Sequence, residues 1–264
     1  MKLGIIGAGN MASAIVEGIL KKQVFSPDEI LIYDICREKV LAFEKRGLTA
    51  AMTPSSLAAA AELILVAVKP QQIDDVLSEL YGYTGGKCIV SIVAGISTDY
   101  YKKKLGADTY VIRVMPNTPI LLGCGATAIA RNTGTPQDLY DKAVSVFSSA
   151  GEVAFVDEEH MNAVTGVNGS SPAYFFVMAK AMASCAAEQG IDMQTALRLA
   201  AKSMEGAAVM LLKSGKTPDE LTAAVTSPGG TTLAALEEMQ KRGFSEAIRS
   251  GMLACTRRAA EIGK

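Results

Sequence analysis

The chain has 264 residues, 49% of them hydrophobic and 20% charged, with a formal net charge of −1. That length holds one large domain or two modest ones with ample apolar material for a core. The balanced charge gives no electrostatic footprint for nucleic acid or an anionic membrane, and no apolar run reaches the roughly 18 residues of a membrane span.

In the first half, short apolar runs alternate with helical ones. Met1 and Lys2 lead directly into Leu3-Gly4-Ile5-Ile6, too short for a signal-peptide core, so a cytoplasmic protein is expected. Residues 2–6 read as a strand, 11–22 as a helix, 29–33 as a strand and 38–46 as a helix. Thr53-Pro54 reads as an N-cap followed by proline at the first helical position, opening a helix over 55–61. Residues 63–68, 88–93 and 110–114 are further compact apolar runs. Runs apolar on both faces belong to a parallel sheet covered by helices. Thr135-Pro136 repeats the cap pattern and predicts a helix to about 150, with 153–156 as a last edge strand.

After Asp157 strand signals largely vanish. Helices are expected over 172–188, 193–213, 233–242 and 245–262, with another opened by the capping box Thr217-Pro218-Asp219-Glu220. No glycine- or serine-rich linker separates the halves, so the boundary, placed at 157/158, should be a packed junction. The later helices are rich in Ala, Met, Leu and Val and carry few charges. Helices apolar most of the way round must be buried on most sides. Two burials serve: packing against the first domain or, the reading favoured here, an obligate dimer.

Two glycine-rich turns carry the chemistry. Gly7-Ala8-Gly9-Asn10-Met11-Ala12 follows the first strand and opens the first helix, the context a dinucleotide fingerprint requires. Gly7 permits the tight turn, Gly9 lets a pyrophosphate approach, and Ala12 keeps the helix close to the sheet. Asp34 ends the second strand, where an acid accepts the adenosine-ribose hydroxyls and favours NADH. Arg37 pulls the other way, since it is able to pair with a 2′-phosphate. Lys69, Ile92-Val93-Ala94 and Asn117 lie in turns at the predicted carboxyl ends of strands, where ligands of such sheets bind. Lys69 is either a cofactor contact or a solvated loop lysine. Asn117, between Pro116 and Pro119, either aims its amide at a nicotinamide or stabilises its own turn. The second glycine turn, Val225-Thr226-Ser227-Pro228-Gly229-Gly230-Thr231-Thr232, precedes an apolar helical run. Close backbone approach and unpaired N–H groups at a helix start suit a small carboxylate.

The five cysteines are scattered without paired spacing, and His160 is the single histidine, so buried or half-buried thiols in a reducing cytosol are expected and metal ligation is not.

Together these turns resemble the pyrroline-5-carboxylate reductase family. The matching stretches are Ile6 to Ala12, Ala67-Val68-Lys69-Pro70-Gln71, Val111 to Pro119, Ala163-Val164-Thr165-Gly166, Gly169 to Tyr174, and Thr226 to Thr232. They occur in family order across essentially the whole chain. The resemblance implies an α/β fold: a Rossmann-type, mostly parallel sheet domain followed by an all-α dimerisation domain. It implies reduction of pyrroline-5-carboxylate to proline by NADPH or NADH, the last step of proline biosynthesis, at a site on a homodimer interface. Members often build decamers from dimers.

Carried over by residue, Ile6, Gly7, Ala8, Gly9, Asn10 and Met11 hold the pyrophosphate end. Ala67, Val68, Lys69 and Pro70 line the cofactor, and Ile92, Val93 and Ala94 flank the nicotinamide. Ser227, Gly230, Thr231 and Thr232 grip the substrate carboxylate, and Glu158 or Glu159 corresponds to an acid near the substrate. The sequence departs from the family at Ser171, where a glycine is usual, at Pro54, where an Asn is usual, and at Ala223, where an Asp is usual.

Reducing a cyclic imine needs little machinery, because a protonated C=N is already electrophilic. Alignment alone supplies roughly 7–11 kcal/mol of the barrier. Thr232 is the candidate for hydrogen-bonding the ring nitrogen, the alternative being a plain N-cap. A 6-phosphogluconate-type hydroxyacid dehydrogenase shares the two-domain plan, but Lys180 lacks the glycine pattern expected around a catalytic lysine there. A non-catalytic nucleotide-binding regulator is the third reading, and the intact Ser227–Thr232 stretch argues against it.

Overall fold

The computed structural model describes residues 1–263. Eight strands form one sheet: β1 Leu3–Ile6, β2 Ile30–Tyr33, β3 Thr49–Ala50, β4 Leu63–Val66, β5 Cys88–Ser91, β6 Tyr110–Met115, β7 Gly125–Ala130 and β8 Gly151–Val156. Their order is β3-β2-β1-β4-β5-β6-β7-β8. Neighbouring strands are parallel throughout, except that β6 and β7 run antiparallel. Strand order reverses between β1 and β4, the switch point at which such sheets leave a crevice for ligands.

Alternation along each strand feeds two cores. Ile5, Ile32, Leu65, Val90 and Ile112 point to one face, where Ile15 and Ile19 of helix α1 (Asn10–Lys21) and Phe147 of a later helix cover them. Ile6, Leu31, Ile64, Val66 and Ile89 point to the other, under Leu57, Leu77 and Tyr101. Burial on both faces explains why these strands read as unbroken apolar runs.

The covering helices are α2 (Arg37–Glu44), α3 (Pro54–Ala60), α4 (Ile73–Leu80), α5 (Thr98–Leu105) and α6 (Gln137–Ser148). Thr53 caps α3 as its sequence predicts, its Oγ1 accepting the Ser56 N–H at 3.0 Å. Thr135 does not cap α6. Asn132 Oδ1 accepts the N–H groups of both Gly134 and Thr135, so a local side-chain turn replaces the expected cap. β7 was not expected, because four of the six residues in Gly125-Ala126-Thr127-Ala128-Ile129-Ala130 are glycine or alanine, which have little strand preference.

After β8 come the short helix α7 (Met161–Val164) and a wide π-helical turn, Thr165–Gly169, closed by the Ser170 N–H to Thr165 carbonyl bond at 2.8 Å. The remaining helices are α8 (Ser171–Glu188), α9 (Met193–Lys213), α10 (Pro218–Ala224), α11 (Thr231–Lys241) and α12 (Phe244–Ile262). The Thr217/Glu220 capping box opening α10 is present in full.

The chain divides into two compact units, residues 171–251 forming the second and everything else the first. The packing boundary thus falls at Ser170/Ser171, later than 157/158, because α7 and the π turn pack on β6 and β7. The last part of α12, from Met252 on, also belongs to the first unit. In the second unit Phe176, Val177 and Leu212 are 67%, 70% and 80% exposed in the single chain. None of the described helices is long and apolar enough to cross a membrane.

Candidate functional site

Two depressions meet at the carboxyl end of β4, where Ala67 and Val68 line both. The first runs from Ile6, Gly7 and Gly9 past Tyr33, Asp34 and Lys39 to Lys69, Asp75 and Glu79. The second is lined by Met11, Ile92, Ala94, Met115, Pro116, Thr165, Gly169 and Ser170. Both lie at the switch point.

The first glycine turn fits a dinucleotide. Gly7 has φ +106°, and a Cβ there would stand 2.5 Å from the Ala67 carbonyl oxygen. No residue but glycine fits there. A Cβ on Gly9 would meet nothing within 4 Å, so the space above Gly9 is open to a ligand. Gly9 is the N-cap of α1, with no side-chain cap and no acid in the first turn. The positive end of that helix is left for an anion. Ala8 does not share this role. It is buried, and its N–H donates to Asp34 Oδ2 at 2.7 Å. Asn10 is exposed on the first turn of α1 and lines neither depression.

Asp34 is fixed from both sides, since its Oδ1 accepts the Cys36 N–H at 2.8 Å. Arg37 does not reach the depression. It pairs with Glu44 at 2.9 Å on the outer side of α2. Lys39, which the sequence did not single out, lines the depression instead. Burial, and then the charges of Glu79 and Asp34, push the Tyr33 hydroxyl above its ordinary range.

Other expected contacts have structural duties. Asn117 is 7% exposed and its Oδ1 accepts the Ala126 N–H at 2.9 Å, so it pins the turn between β6 and β7. Val93 points into the core beneath β5, its N–H bonded to Ser91 Oγ. Pro70 opens the 3₁₀ turn Pro70–Gln72 and lines neither depression.

Glu158 Oε1 accepts from Arg113 Nη1 and from the Thr98 N–H, both at 3.1 Å, in a depression that includes Glu159 and Asn162. Its Oε2 is buried without a partner. Glu159 is exposed and stands 3.6 Å from His160.

In the second unit, Ser227-Pro228-Gly229-Gly230 forms a tight turn. The Gly230 N–H donates to the Ser227 carbonyl at 2.9 Å, and Gly229 has φ +70°. Proline second and a positive-φ glycine third make a type II turn. It delivers the chain to α11, whose N-cap is Gly230 with no side-chain cap and no acid in its first turn. Thr231 and Thr232 are therefore the first two helical residues, and Thr232 is not the cap. A Cβ on Gly230 would stand 2.5 Å from Ser227 Oγ.

Sequence comparisons agree with this layout. Residues 158–262 match the model for pyrroline-5-carboxylate reductase dimerisation, and residues 2–95 that for coenzyme F420-dependent NADP oxidoreductases. The chain is 36% identical to pyrroline-5-carboxylate reductase of Escherichia coli (strain K12), over 100% of this chain and 98% of that protein. The chain belongs to the pyrroline-5-carboxylate reductase family. It is also 38% identical to the Synechocystis pyrroline-5-carboxylate reductase, over 100% and 99% of the two chains. A solved pyrroline-5-carboxylate reductase from Coxiella burnetii matches with a TM-score of 0.91 at 31% identity, over 100% of this chain and 98% of that one. A Plasmodium falciparum pyrroline carboxylate reductase with NADP bound has the same fold, with a TM-score of 0.91 at 24% identity. The oxidoreductase family, the Rossmann-type sheet and the helical dimerisation region are thus as the sequence implied. The dimerisation match begins at 158, where the sequence changes character, although the first compact unit extends to Ser170.

The reductase-family stretches around Thr165 and Gly169 to Tyr174 announce residues that line the second depression. Nothing in the sequence announces that they do so from a π-helical turn. Such turns are frequent at functional sites.

Proposed function

We propose that this protein reduces 1-pyrroline-5-carboxylate to proline, the last step of proline biosynthesis, as a cytoplasmic enzyme using NADH or NADPH. The observation that carries the reading is full-length similarity to reductases of that name, in a chain that keeps both glycine turns. A reduced nicotinamide, when bound, supplies the hydride. Ile6, Gly7, Gly9 and Met11 hold the dinucleotide against the start of α1, with Ala67, Val68 and Lys69 along its length. Ile92, Ala94, Met115 and Pro116 wall the second depression and keep water from the reacting carbon. Ala8, Pro70, Val93 and Asn117 serve by holding these turns in shape.

Ser227, Gly230, Thr231 and Thr232 hold the substrate carboxylate at the start of α11, where backbone N–H groups and the helix dipole favour an anion. The Thr232 hydroxyl hydrogen-bonds the ring nitrogen and helps keep the imine protonated. The active species is a homodimer that buries the apolar faces of α8 and α9, and decamers assemble from such dimers.

The test is to follow loss of reduced-nicotinamide absorbance with pyrroline-5-carboxylate and each cofactor, then to run hydroxyacids in reverse. Turnover of the imine with proline as product is expected. Failure with both cofactors, or preference for a hydroxyacid, overturns the reading.

A further inference from the structure

We infer that the adenosine end of the first depression selects NADH over NADPH, and that Asp34 is the residue that selects. The inference rests on the cofactor reading above. The sequence sets Asp34 against Arg37, and the structure separates them. Asp34 lines the depression with its carboxylate fixed by the Ala8 and Cys36 N–H groups. Each of its oxygens keeps a further lone pair, so the two hydroxyls of an adenosine ribose have acceptors already in place. Arg37 is spent on Glu44, is 54% exposed along its side chain, and does not line the depression.

The opposite wall adds to the bias. Asp75 and Glu79 lie one helical turn apart on α4 and line the same depression. Three carboxylates, Asp34, Asp75 and Glu79, therefore face two lysines, Lys39 and Lys69, a formal lining charge of −1. Burial first, and then the charges of Glu79 and Asp34, raise the Tyr33 hydroxyl at the end of β2, which places both carboxylates near it. A 2′-phosphate brings about −1.5 to −2 further charge at neutral pH. It would have to displace a fixed carboxylate or sit against it. Lys39 offers a single ammonium on a flexible stem, without the two-pronged grip of a guanidinium.

The test uses the full-length protein and measures dissociation constants for NADH and NADPH by calorimetry, alongside kcat/KM for each. Wild type should bind NADH about tenfold or more tighter than NADPH at low salt, and the gap should narrow as salt screens the repulsion. Asp34→Asn should weaken NADH several-fold, tighten NADPH, and bring the ratio near one. Because that variant also alters the glycine turn, Glu79→Gln provides a second arm and should tighten NADPH about two- to threefold more than it tightens NADH. Arg37→Ala should leave the ratio unaltered. NADPH bound as tightly as NADH by wild type, or NADPH binding lost in Arg37→Ala, overturns the inference. So does an unchanged ratio in both Asp34→Asn and Glu79→Gln. If both cofactors bind with the expected ratio but the imine is not reduced, the functional reading fails and the selectivity stands. If neither binds, both fail.

Discussion

Arg113 Nη1 donates to Glu158 Oε1 at 3.1 Å and its Nη2 to Asn162 Oδ1 at 2.9 Å, binding the middle of β6 to the segment that follows β8. The guanidinium is 6% exposed and the carboxylate 29%. Glu158→Ala would leave a buried cation without its counter-charge and is expected to cost about 2–3 kcal/mol in urea unfolding. Glu159, 78% exposed along its side chain, should tolerate alanine within about 0.5 kcal/mol. If Glu158 anchors the fold and does not grip substrate, Glu158→Gln should leave the KM for the imine within about twofold. A large and selective rise in that KM would return Glu158 to the substrate.

The two glycines of the first turn should separate folding from binding. Gly7→Ala forces a side chain onto the Ala67 carbonyl at φ +106° and is expected to cost about 2 kcal/mol or more. Gly9→Ala meets no protein atom, so its stability cost should stay near that of a helix N-cap change, about 0.5–1 kcal/mol. Its NADH affinity should nonetheless fall at least about tenfold, because the methyl group occupies the space left for the pyrophosphate. Calorimetry and thermal melts on the pair decide it, and unaltered cofactor binding by Gly9→Ala would count against the turn as a phosphate cradle.

Around α11 the carboxylate and ring-nitrogen roles predict different kinetics. Ser227→Ala should raise the KM for the imine with little change in kcat. Thr232→Val keeps shape and removes the hydroxyl, and is expected to lower kcat about 10- to 100-fold. Thr232 is the second helical residue and not the cap, so the same variant should melt within a few degrees of wild type. A loss of stability without a loss of kcat would reduce Thr232 to a structural residue.

Phe176 and Leu212 stand 67% and 80% exposed in the single chain. Phe176→Asp and Leu212→Glu place charges on faces that a dimer must desolvate. Each should shift the sedimentation profile toward monomer and lower activity with it. Dimers that persist in both variants would place the interface elsewhere.

Burial pushes the Cys88 thiol up to about 12, while Cys124 is exposed. At pH 8 only about one Cys88 in ten thousand would carry the reactive thiolate. Brief alkylation of the native protein should label Cys124 and spare Cys88, and unfolding should expose both, as peptide mass mapping would show.

Sequence reading reached furthest where local physics and global fold agree. The parallel strands were visible because burial on both faces leaves an uninterrupted apolar run, and α9 because its period and its Gly215 stop are unambiguous. β7 was hidden by its small residues, and α6 begins without the expected cap because Asn132 offers the backbone a competing turn. At the site, the glycine turns were legible because only glycine fits Gly7. The duties of Asn117, Val93 and Ala8 were not. Each carries a residue type suited to ligand contact, and only the packed structure shows that its polar group or side chain is already engaged. Arg37 is engaged in the same way, since its guanidinium pairs with Glu44 at the far end of the same helix, seven residues along the chain.

The end of α12 belongs to the unit that β1 begins. Gly95, in the turn after β5, has φ +82°, and a Cβ there would stand 2.3 Å from the Ala259 carbonyl. Ser170 Oγ lies 3.2 Å from Cys255 Sγ. Order of synthesis and order of packing therefore disagree. A ribosome that has made every strand of the sheet has not yet made the helix that closes the back of the Ile92–Gly95 turn. The nucleotide-binding half has to wait, incomplete, while the helical half is translated. Its final folding step should thus follow synthesis of the second unit, in contrast to the usual N-terminal-first order of multidomain chains.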